Sequence, residues 1–226
     1  MSPVSDVARR HTALLVGIAA TVAFVALRGI VAVGGHEPLG IDVWWNDLMR
    51  ATTGDVGIIV AWVPAVVGGT IGMIVVGVLL IACLLWRGRR ADAATLAIAM
   101  VVVVAVGATM AAVIGRTRPA DSLAESVATS FPSGHTAVAT TVVVVLGIVL
   151  RRWYVWAVGV VWVVTMMWSR TFLHAHWLSD VVAGLLEGIA VATVVWVCVE
   201  AVRDRRAIRA VGTPSPEHSN ESVSSS

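Results

Sequence analysis

The feature that most constrains this chain is a series of long apolar runs, separated by short clusters of arginine. Hydrophobic residues make up 58% of the 226 residues and charged residues only 13%. Those charges are too few to cover the surface of a water-soluble domain of this size. Long runs without charge are instead typical of helices that cross a lipid bilayer. The sequence therefore predicts an all-α membrane protein that crosses the bilayer several times.

The apolar runs predict a bundle of six transmembrane helices. The predicted spans cover residues 12–34, 70–86, 91–114, 134–150, 153–168 and 178–202. Pro64 and the Gly68-Gly69 pair are expected to break the apolar stretch 56–86 into a shallow helix and the second span. Residues 35–55, which include two adjacent tryptophans, are predicted to lie at the bilayer surface.

Arginine placement predicts how this bundle is oriented. All 16 basic residues are arginines, and four clusters fall on one side of the six-span arrangement: Arg9 and Arg10; Arg87, Arg89 and Arg90; Arg151 and Arg152; and Arg203, Arg205, Arg206 and Arg209. Basic loops favour the cytoplasmic side. We therefore expect both termini in the cytoplasm, with residues 1–11 as a short N-terminal segment, 12–202 as the membrane domain and 203–226 as a disordered tail. This places the chain in the plasma membrane.

Polar residues are concentrated in three segments predicted to face outward: residues 115–119 after the third span, 130–135 at the start of the fourth, and 169–180 between the fifth and sixth. Arg118 and Arg170 offer planar cations that suit phosphate oxygens. Ser133 adds a hydroxyl, and Gly134 permits close approach of an anion to a helix N-terminus.

Two histidines in these segments are suited to phosphoryl transfer. His176 and Asp180 are four residues apart and share one face of a helix, so the carboxylate can orient the imidazole and support it as a nucleophile. His135 is then available as the general acid that protonates the leaving oxygen. The arginines can stabilise the phosphate charge, so this site needs no metal ion and no other cofactor.

The pattern Pro-Ser-Gly-His at 132–135, followed by Ser-Arg-x5-His-x3-Asp at 169–180 with Arg118-Pro119 upstream, resembles the type 2 phosphatidic acid phosphatase family. The resemblance covers about residues 91–202. It implies catalytic roles for His135, His176 and Asp180, with His176 forming a phosphohistidine. It also implies phosphate binding by Arg118, Ser133, Gly134 and Arg170.

One position departs from the family pattern. The family has a lysine seven residues before the arginine of its first motif, and here Ala111 stands there in a chain without lysine. Arg116 is the candidate to supply the missing charge, as a further phosphate-binding residue. Two nearby groups are predicted to play lesser parts: His174 an interfacial or supporting one, and Glu187 either a partner for an inward-facing arginine or none.

The sequence therefore predicts a membrane phosphatase that acts on a lipid phosphate or diphosphate at the extracytoplasmic face. Polyprenyl diphosphate, phosphatidic acid and phosphatidylglycerol phosphate are the candidate substrates implied by the resemblance. A catalytically impaired lipid-phosphate-binding protein, a lipid phosphotransferase and a six-helix transporter or structural protein are the alternatives. The expected partners are the bilayer and the lipid substrate, with no nucleic acid, and the oligomeric state is left open.

Overall fold

The computed structural model describes residues 3–124 and 128–211, and the chain is all-α over these ranges. Eight helices follow one another within them: α1 (Pro3–Val33), α2 (Gly40–Thr52), α3 (Asp55–Val67), α4 (Thr70–Trp86), α5 (Arg90–Ile114), α6 (Gly134–Leu150), α7 (Trp153–Phe172) and α8 (Leu178–Val211). The described residues form no strand, and Thr117 and Thr129 make only an isolated antiparallel bridge. The predicted all-α class is confirmed for these residues.

Four helices are long and apolar enough to cross a membrane by themselves: Val7–Val33, Arg90–Ile114, Trp153–Phe172 and Leu178–Arg209. Helices α3 and α4 together pass the same test as one span, broken by a bend of 49°. The predicted break is therefore present, next to Pro64 inside α3 and the Gly68-Gly69 pair that follows. The length criterion supports four or five spans rather than six. Helix α6 has 17 residues, or about 25 Å at 1.5 Å per residue, which is shorter than a typical hydrocarbon core.

Three helices extend beyond their predicted ends. Helix α1 begins at Pro3, α7 continues past Trp168 to Phe172, and α8 continues past Val202 to Val211. The prediction that the tail is disordered from Arg203 is therefore wrong for residues 203–211, and residues 212–226 lie outside the described ranges.

Ionic contacts explain the extra turns at the N-terminal end of α1 and the C-terminal end of α8. Arg10 pairs with Asp204 and, at 3.2 Å, with Glu200. Glu200 also binds Arg203 at 2.9 Å. Arg9 lies with its guanidinium carbon 4.9 Å from the centre of the Trp196 ring. These pairs join the first and last helices and favour helix over coil in a polar segment.

Helix α8 is the central element of the bundle. It contacts α1, α2, α5, α6 and α7. The most apolar 18-residue window of α8 is 61% buried, whereas the same windows of α1, α5 and α7 are 22%, 17% and 39% buried. The outer surfaces of the other helices expose large apolar side chains such as Leu15, Ile71, Val101 and Val158. Such a surface suits contact with lipid rather than water.

Two glycines allow α8 to approach α6 closely. A Cβ atom at Gly184 would lie 2.5 Å from the Ser133 carbonyl oxygen, and one at Gly188 would lie 2.6 Å from the Ala137 carbonyl oxygen. Small residues four apart commonly bring membrane helices into backbone contact. The pair fixes the N-terminus of α6 against the first turns of α8, which is where the predicted site residues lie.

Helix α2 buries its polar side and exposes its apolar side. Its buried residues are Asp42, Asn46 and Met49, while Ile41 and Trp44 are 51% and 57% exposed. This arrangement suits a helix that lies in the bilayer interface with its apolar face toward lipid. It agrees with the surface position predicted for residues 35–55.

Candidate active site

The three polar segments predicted to face outward converge at one end of the bundle. Helix α5 ends at Ile114, and Gly115, with a positive φ of 58°, turns the chain into the loop that carries Arg116 and Arg118. This loop joins the segment before α6 through the Ser130 amide, which donates to the Arg116 carbonyl oxygen at 2.8 Å. The Ser133 amide donates to the Asp180 carbonyl oxygen at 3.0 Å. Backbone contacts therefore hold the segments together before any side chain is considered.

His176 lies in the turn between α7 and α8 and is only 3% exposed. Its Nδ1 atom lies 2.8 Å from the carbonyl oxygen of Ser130, which can only accept a hydrogen bond. Nδ1 must then carry the proton, and Nε2 holds the free lone pair of the neutral ring. Nε2 lies 3.2 Å from Nη1 of Arg118. The free lone pair of His176 therefore points at a cation suited to phosphate.

Asp180 is further from the imidazole than the predicted orienting role implies. Its Oδ2 atom lies 3.9 Å from Nδ1 of His176 and accepts a hydrogen bond from the Trp177 amide at 2.9 Å. Its Oδ1 atom accepts from Arg116 at 2.6 Å. The Ser130 carbonyl, rather than the carboxylate, makes the direct hydrogen bond to the ring.

The environment of His176 keeps the ring neutral. Burial lowers the pKa of His176 well below its usual value near 6.5, and the positive charges of Arg118 and Arg170 lower it further. A cationic imidazole would face both desolvation and like charge, so the unprotonated form is favoured. A neutral ring is the form that can attack phosphorus.

Arg118 and Arg170 approach the site from two elements. Arg118 is partly exposed and donates from Nη1 to the Ala175 carbonyl oxygen. Arg170 is in the last turn of α7 and is 1% exposed. Its carbonyl oxygen accepts from the amides of Ala175 and His176, at 3.1 and 3.2 Å. Both arginines therefore bind the turn that carries His176.

The start of α6 offers an open position for an anion. Ser133 is the residue before the helix, and its hydroxyl lies 3.2 Å from that of Thr136. Gly134 is exposed, and a Cβ atom there would meet nothing within 4 Å. The first amides of a helix lack partners within it and attract negative charge. A phosphate can therefore approach the backbone at Gly134.

His135 follows Gly134 and is partly exposed. Its imidazole is hydrogen-bonded to the backbone of Ala65 in α3. A Cβ atom at Gly69 would lie 3.8 Å from its Nε2 atom. The break between α3 and α4 thus forms the wall beside the predicted general acid.

Arg116 is completely buried. Its hydrogen bonds all go to protein acceptors: Nε to the His36 carbonyl oxygen at 3.3 Å; Nη1 to Ser179 Oγ at 2.7 Å and Asp180 Oδ1 at 2.6 Å; Nη2 to the Glu37 carbonyl oxygen at 3.1 Å and Asp42 Oδ2 at 2.7 Å. A guanidinium has five N–H groups. All five are used by these contacts, so none is left for a phosphate. This geometry counts against the predicted role of Arg116 as a substitute for the family lysine.

The sequence model of the PAP2 superfamily matches residues 92–204, which is half of the chain. The chain belongs to the PAP2 superfamily. The match includes all three polar segments, and it confirms the resemblance read from the sequence motifs.

A curated relative and two solved structures are similar to this PAP2 protein. An undecaprenyl-diphosphatase from Sulfolobus acidocaldarius is 31% identical over 112 residues, which cover 46% of this chain and 54% of that protein. The chain thus spans about half the length of this relative.

The two structures share the fold at low sequence identity. The first transmembrane PAP2-type phosphatidylglycerolphosphate phosphatase from Bacillus subtilis has a TM-score of 0.70 at 19% identity, covering 84% of this chain and 96% of that one. LpxE from Aquifex aeolicus has a TM-score of 0.61 at 20% identity, covering 70% of this chain and 95% of its own. These similarities show that the chain shares the fold of these two proteins.

The PAP2 motifs did not reveal Asp42, which the fold brings beside Asp180 through Arg116. For the segment that carries Asp42, the sequence predicts only a position at the bilayer surface. A signal was available in its spacing, because Asp42, Asn46 and Met49 lie on one helical face and Ile41 and Leu48 lie on another. From the sequence alone, an acidic residue on the less apolar face of an interfacial helix is compatible with facing water or with binding a buried partner.

His174 and Glu187 can now be assigned. The Nδ1 atom of His174 lies 2.8 Å from Oδ1 of Asn46, which agrees with a supporting role. Glu187 is 2% exposed, and neither of its carboxyl oxygens has a hydrogen-bond partner among the described residues. The arginine partner considered for Glu187 is therefore not present in that part of the chain.

Proposed function

We propose that this PAP2 protein hydrolyses a lipid phosphate or diphosphate through a phosphohistidine intermediate. The observation that carries the proposal is the placement of Nε2 of His176 at 3.2 Å from Nη1 of Arg118, with Nδ1 bound to the Ser130 carbonyl. A phosphate held by the arginine would meet the lone pair of a correctly oriented imidazole.

The proposed reaction has two steps. In the first, Nε2 of His176 attacks phosphorus, the bond to the leaving oxygen breaks, and His135 donates a proton to that oxygen. In the second, His135 takes a proton from water, the water oxygen attacks phosphorus, and the P–N bond breaks to release phosphate and restore His176. Arg118, Arg170, the Ser133 hydroxyl and the backbone at Gly134 would hold the phosphate oxygens, so we propose that no metal ion is required.

We propose that the site faces the extracytoplasmic side and that the chain crosses the membrane six times. The proposal counts α6 as a span although it is short, and it counts α3 with α4 as one broken span. Support comes from the arginine clusters at 87–90, 151–152 and 203–209, which lie at the helix ends opposite the site. Basic residues at one end of every hairpin favour a cytoplasmic location for that end and for both termini.

A polyprenyl diphosphate is the first substrate class to test. This choice rests on the name of the Sulfolobus relative, an undecaprenyl-diphosphatase. The name of the Bacillus structure makes phosphatidylglycerol phosphate the next choice, and phosphatidic acid follows from the motif resemblance. A site at one end of a bundle whose outer surface is apolar suits a phosphate carried on a long apolar chain.

The test is phosphate release by the purified full-length protein in detergent or vesicles, with EDTA present, against a panel of these lipids. We expect release from at least one lipid, and a loss of about 10³-fold or more in His176→Ala. Release that depends on an added divalent cation would overturn the metal-free mechanism. Absence of release from every lipid would favour the alternative of an impaired phosphate-binding protein, which Ala111 motivates. Transfer of phosphate to an added alcohol in preference to water would favour the phosphotransferase.

A further inference from the structure

Asp42 of α2 is buried beneath the active site and uses both of its carboxylate oxygens. Its Oδ2 atom accepts from Arg116 Nη2 at 2.7 Å, from Ser179 Oγ at 2.7 Å and from the Leu39 amide at 2.9 Å. Its Oδ1 atom accepts from the Ser179 amide at 2.7 Å. An acidic side chain with no exposed surface and four donors is part of a fixed network rather than a surface charge.

Arg116 connects this carboxylate to the catalytic segment. Asp42 and Asp180 bind its two Nη atoms, at 2.7 and 2.6 Å, and both carboxylates have no exposed side-chain surface. Ser179 bridges the same groups, since its hydroxyl accepts from Arg116 and donates to Asp42. Arg116 thus binds the first turn of α8 and is itself bound by Asp42 of α2.

Asp180 connects this network to the turn that carries His176, the proposed nucleophile. The amide of Trp177, the residue after His176, donates to Asp180 Oδ2 at 2.9 Å. The Asp180 carbonyl oxygen accepts the Ser133 amide at 3.0 Å. The orientation of Asp180 therefore determines where the His176 turn lies relative to the start of α6.

We propose that Asp42 and Arg116 are positioning residues that hold Asp180, and through it His176, in the geometry needed for attack on phosphorus. The proposal rests on the phosphatase function proposed above. It gives Arg116 a role beneath the nucleophile in place of phosphate binding. It also makes α2, a helix whose outer face is apolar, part of the catalytic scaffold.

Electrostatics explains why both Asp42 and Arg116 are required to hold Asp180. Arg116 lies between two carboxylates, so replacing Asp42 by a neutral residue leaves the arginine with one buried counter-ion and frees it to shift toward Asp180. Removing one member of a buried charged group is far more disruptive than removing an exposed charge. Asp47 offers the matched comparison, because it is an exposed aspartate on the same helix.

The test compares Asp42→Asn with Asp47→Asn in the full-length protein. We expect kcat to fall by about 10- to 100-fold in Asp42→Asn, as for other residues that orient a catalytic group, and to stay within about two-fold in Asp47→Asn. The inhibition constant for inorganic phosphate should stay nearly constant in Asp42→Asn and in Arg116→Gln, but rise in Arg118→Gln. Equal kcat values for the two aspartate variants, or weaker phosphate inhibition in Arg116→Gln, would overturn the proposal.

A second readout separates this proposal from the proposed function. Diethyl pyrocarbonate modifies neutral imidazoles, and mass spectrometry can follow its reaction at His176 as a function of pH. We expect the profile of Asp42→Asn to differ from those of the wild type and Asp47→Asn, even if no lipid in the panel is hydrolysed. Identical profiles would overturn the positioning role, whereas a phosphate-release failure alone would overturn only the phosphatase function. If Asp42→Asn does not fold, Ser179→Ala removes the bridging hydroxyl and takes its place.

Discussion

The Nδ1 atom of His176 is bound by the carbonyl oxygen of Ser130, at 2.8 Å, and not by the carboxylate four residues later in the chain. Ser130 lies in the segment before α6, so the tautomer of His176 is set by the backbone of a different segment. A carbonyl cannot change its protonation state, and the ring orientation it imposes is therefore independent of pH.

This arrangement predicts unequal losses in two variants. His176→Ala removes the proposed nucleophile, and we expect phosphate release to fall by about 10³-fold or more. Asp180→Asn leaves the Ser130 contact in place, so we expect a smaller loss of about 10- to 100-fold. Initial rates on the best lipid substrate would measure both. Equal losses would mean that the carbonyl does not hold the ring when Asp180 is changed.

His174 provides a natural control for His176. Its ring is bound to Asn46, and its pKa is lowered by burial. We expect His174→Gln to keep most of the phosphate release but to destabilise the protein by about 1 kcal/mol, because one buried hydrogen bond is weakened. Thermal unfolding in detergent and initial rates, measured on the same sample, would separate the two effects. A loss of rate comparable to that of His176→Ala would assign His174 to the reaction.

The pH dependence of His176 has a definite sign. Burial and the charge of Arg118 lower its pKa well below 6.5, so the ring stays neutral and reactive as the pH falls through 6.5. We expect the acid limb of its reaction with diethyl pyrocarbonate to lie below pH 6.5, and to move to higher pH in Arg118→Gln.

The lowered pKa of His176 also affects the stability of the folded protein, which decreases as the pH falls. In the unfolded chain His176 takes up a proton near pH 6.5, whereas the folded protein resists it. The unfolded state therefore binds more protons below pH 6.5, and this contribution to the free energy of unfolding decreases as the pH falls. In the reaction of the wild type with diethyl pyrocarbonate, an acid limb at or above pH 6.5 would contradict the lowered pKa of His176.

Glu187 predicts a stabilising substitution. Its carboxyl group is buried in the bundle without a partner among the described residues, and it faces Gly107, where an added Cβ would lie 3.4 Å from Oε1. We expect Glu187→Leu to raise the free energy of unfolding by about 1–3 kcal/mol, because an unpaired polar group is removed. The midpoint of thermal unfolding in detergent would test this. A lower midpoint would indicate that the carboxyl group has an unseen partner such as water.

Gly184→Ala is expected to lower activity because it disturbs helix packing. A Cβ there would be 2.5 Å from the Ser133 carbonyl oxygen, so Gly184→Ala must push the start of α6 away from α8. We expect phosphate release to fall by about 10-fold or more, since small displacements of catalytic groups are costly. Gly29→Ala on α1 is the control, because a Cβ there meets nothing within 4 Å. Similar activities in the two variants would show that the helix contact is adjustable.

The sequence predicted the outline of the fold because apolar runs and arginine clusters are local signals. It predicted the ends of helices less well. The extension of α8 past Val202 depends on Arg10 of α1, which is 194 residues away from its partner Asp204. Such long-range pairs leave no local pattern in the chain.

The catalytic motifs were also readable, because their residue types and spacings are specific. What they could not show is which hydrogen bonds each residue makes. Arg116 and Arg118 are two residues apart in one loop, yet one is completely buried and the other is partly exposed at the site. Only the fold, which brings Asp42 to Arg116, distinguishes this buried arginine from Arg118, the proposed phosphate ligand.

The buried placement of Arg116 bears on how this enzyme class could be re-engineered. Asp42, Arg116 and Asp180 come from three separate parts of the chain but form one electrostatic unit, so a loop transplanted from a relative would succeed only if its arginine met both carboxylates. Swapping the 115–119 loop alone would leave a buried cation or a buried anion uncompensated. Exchange of lipid specificity should therefore be sought in the lipid-facing helix surfaces, with these three positions carried across together.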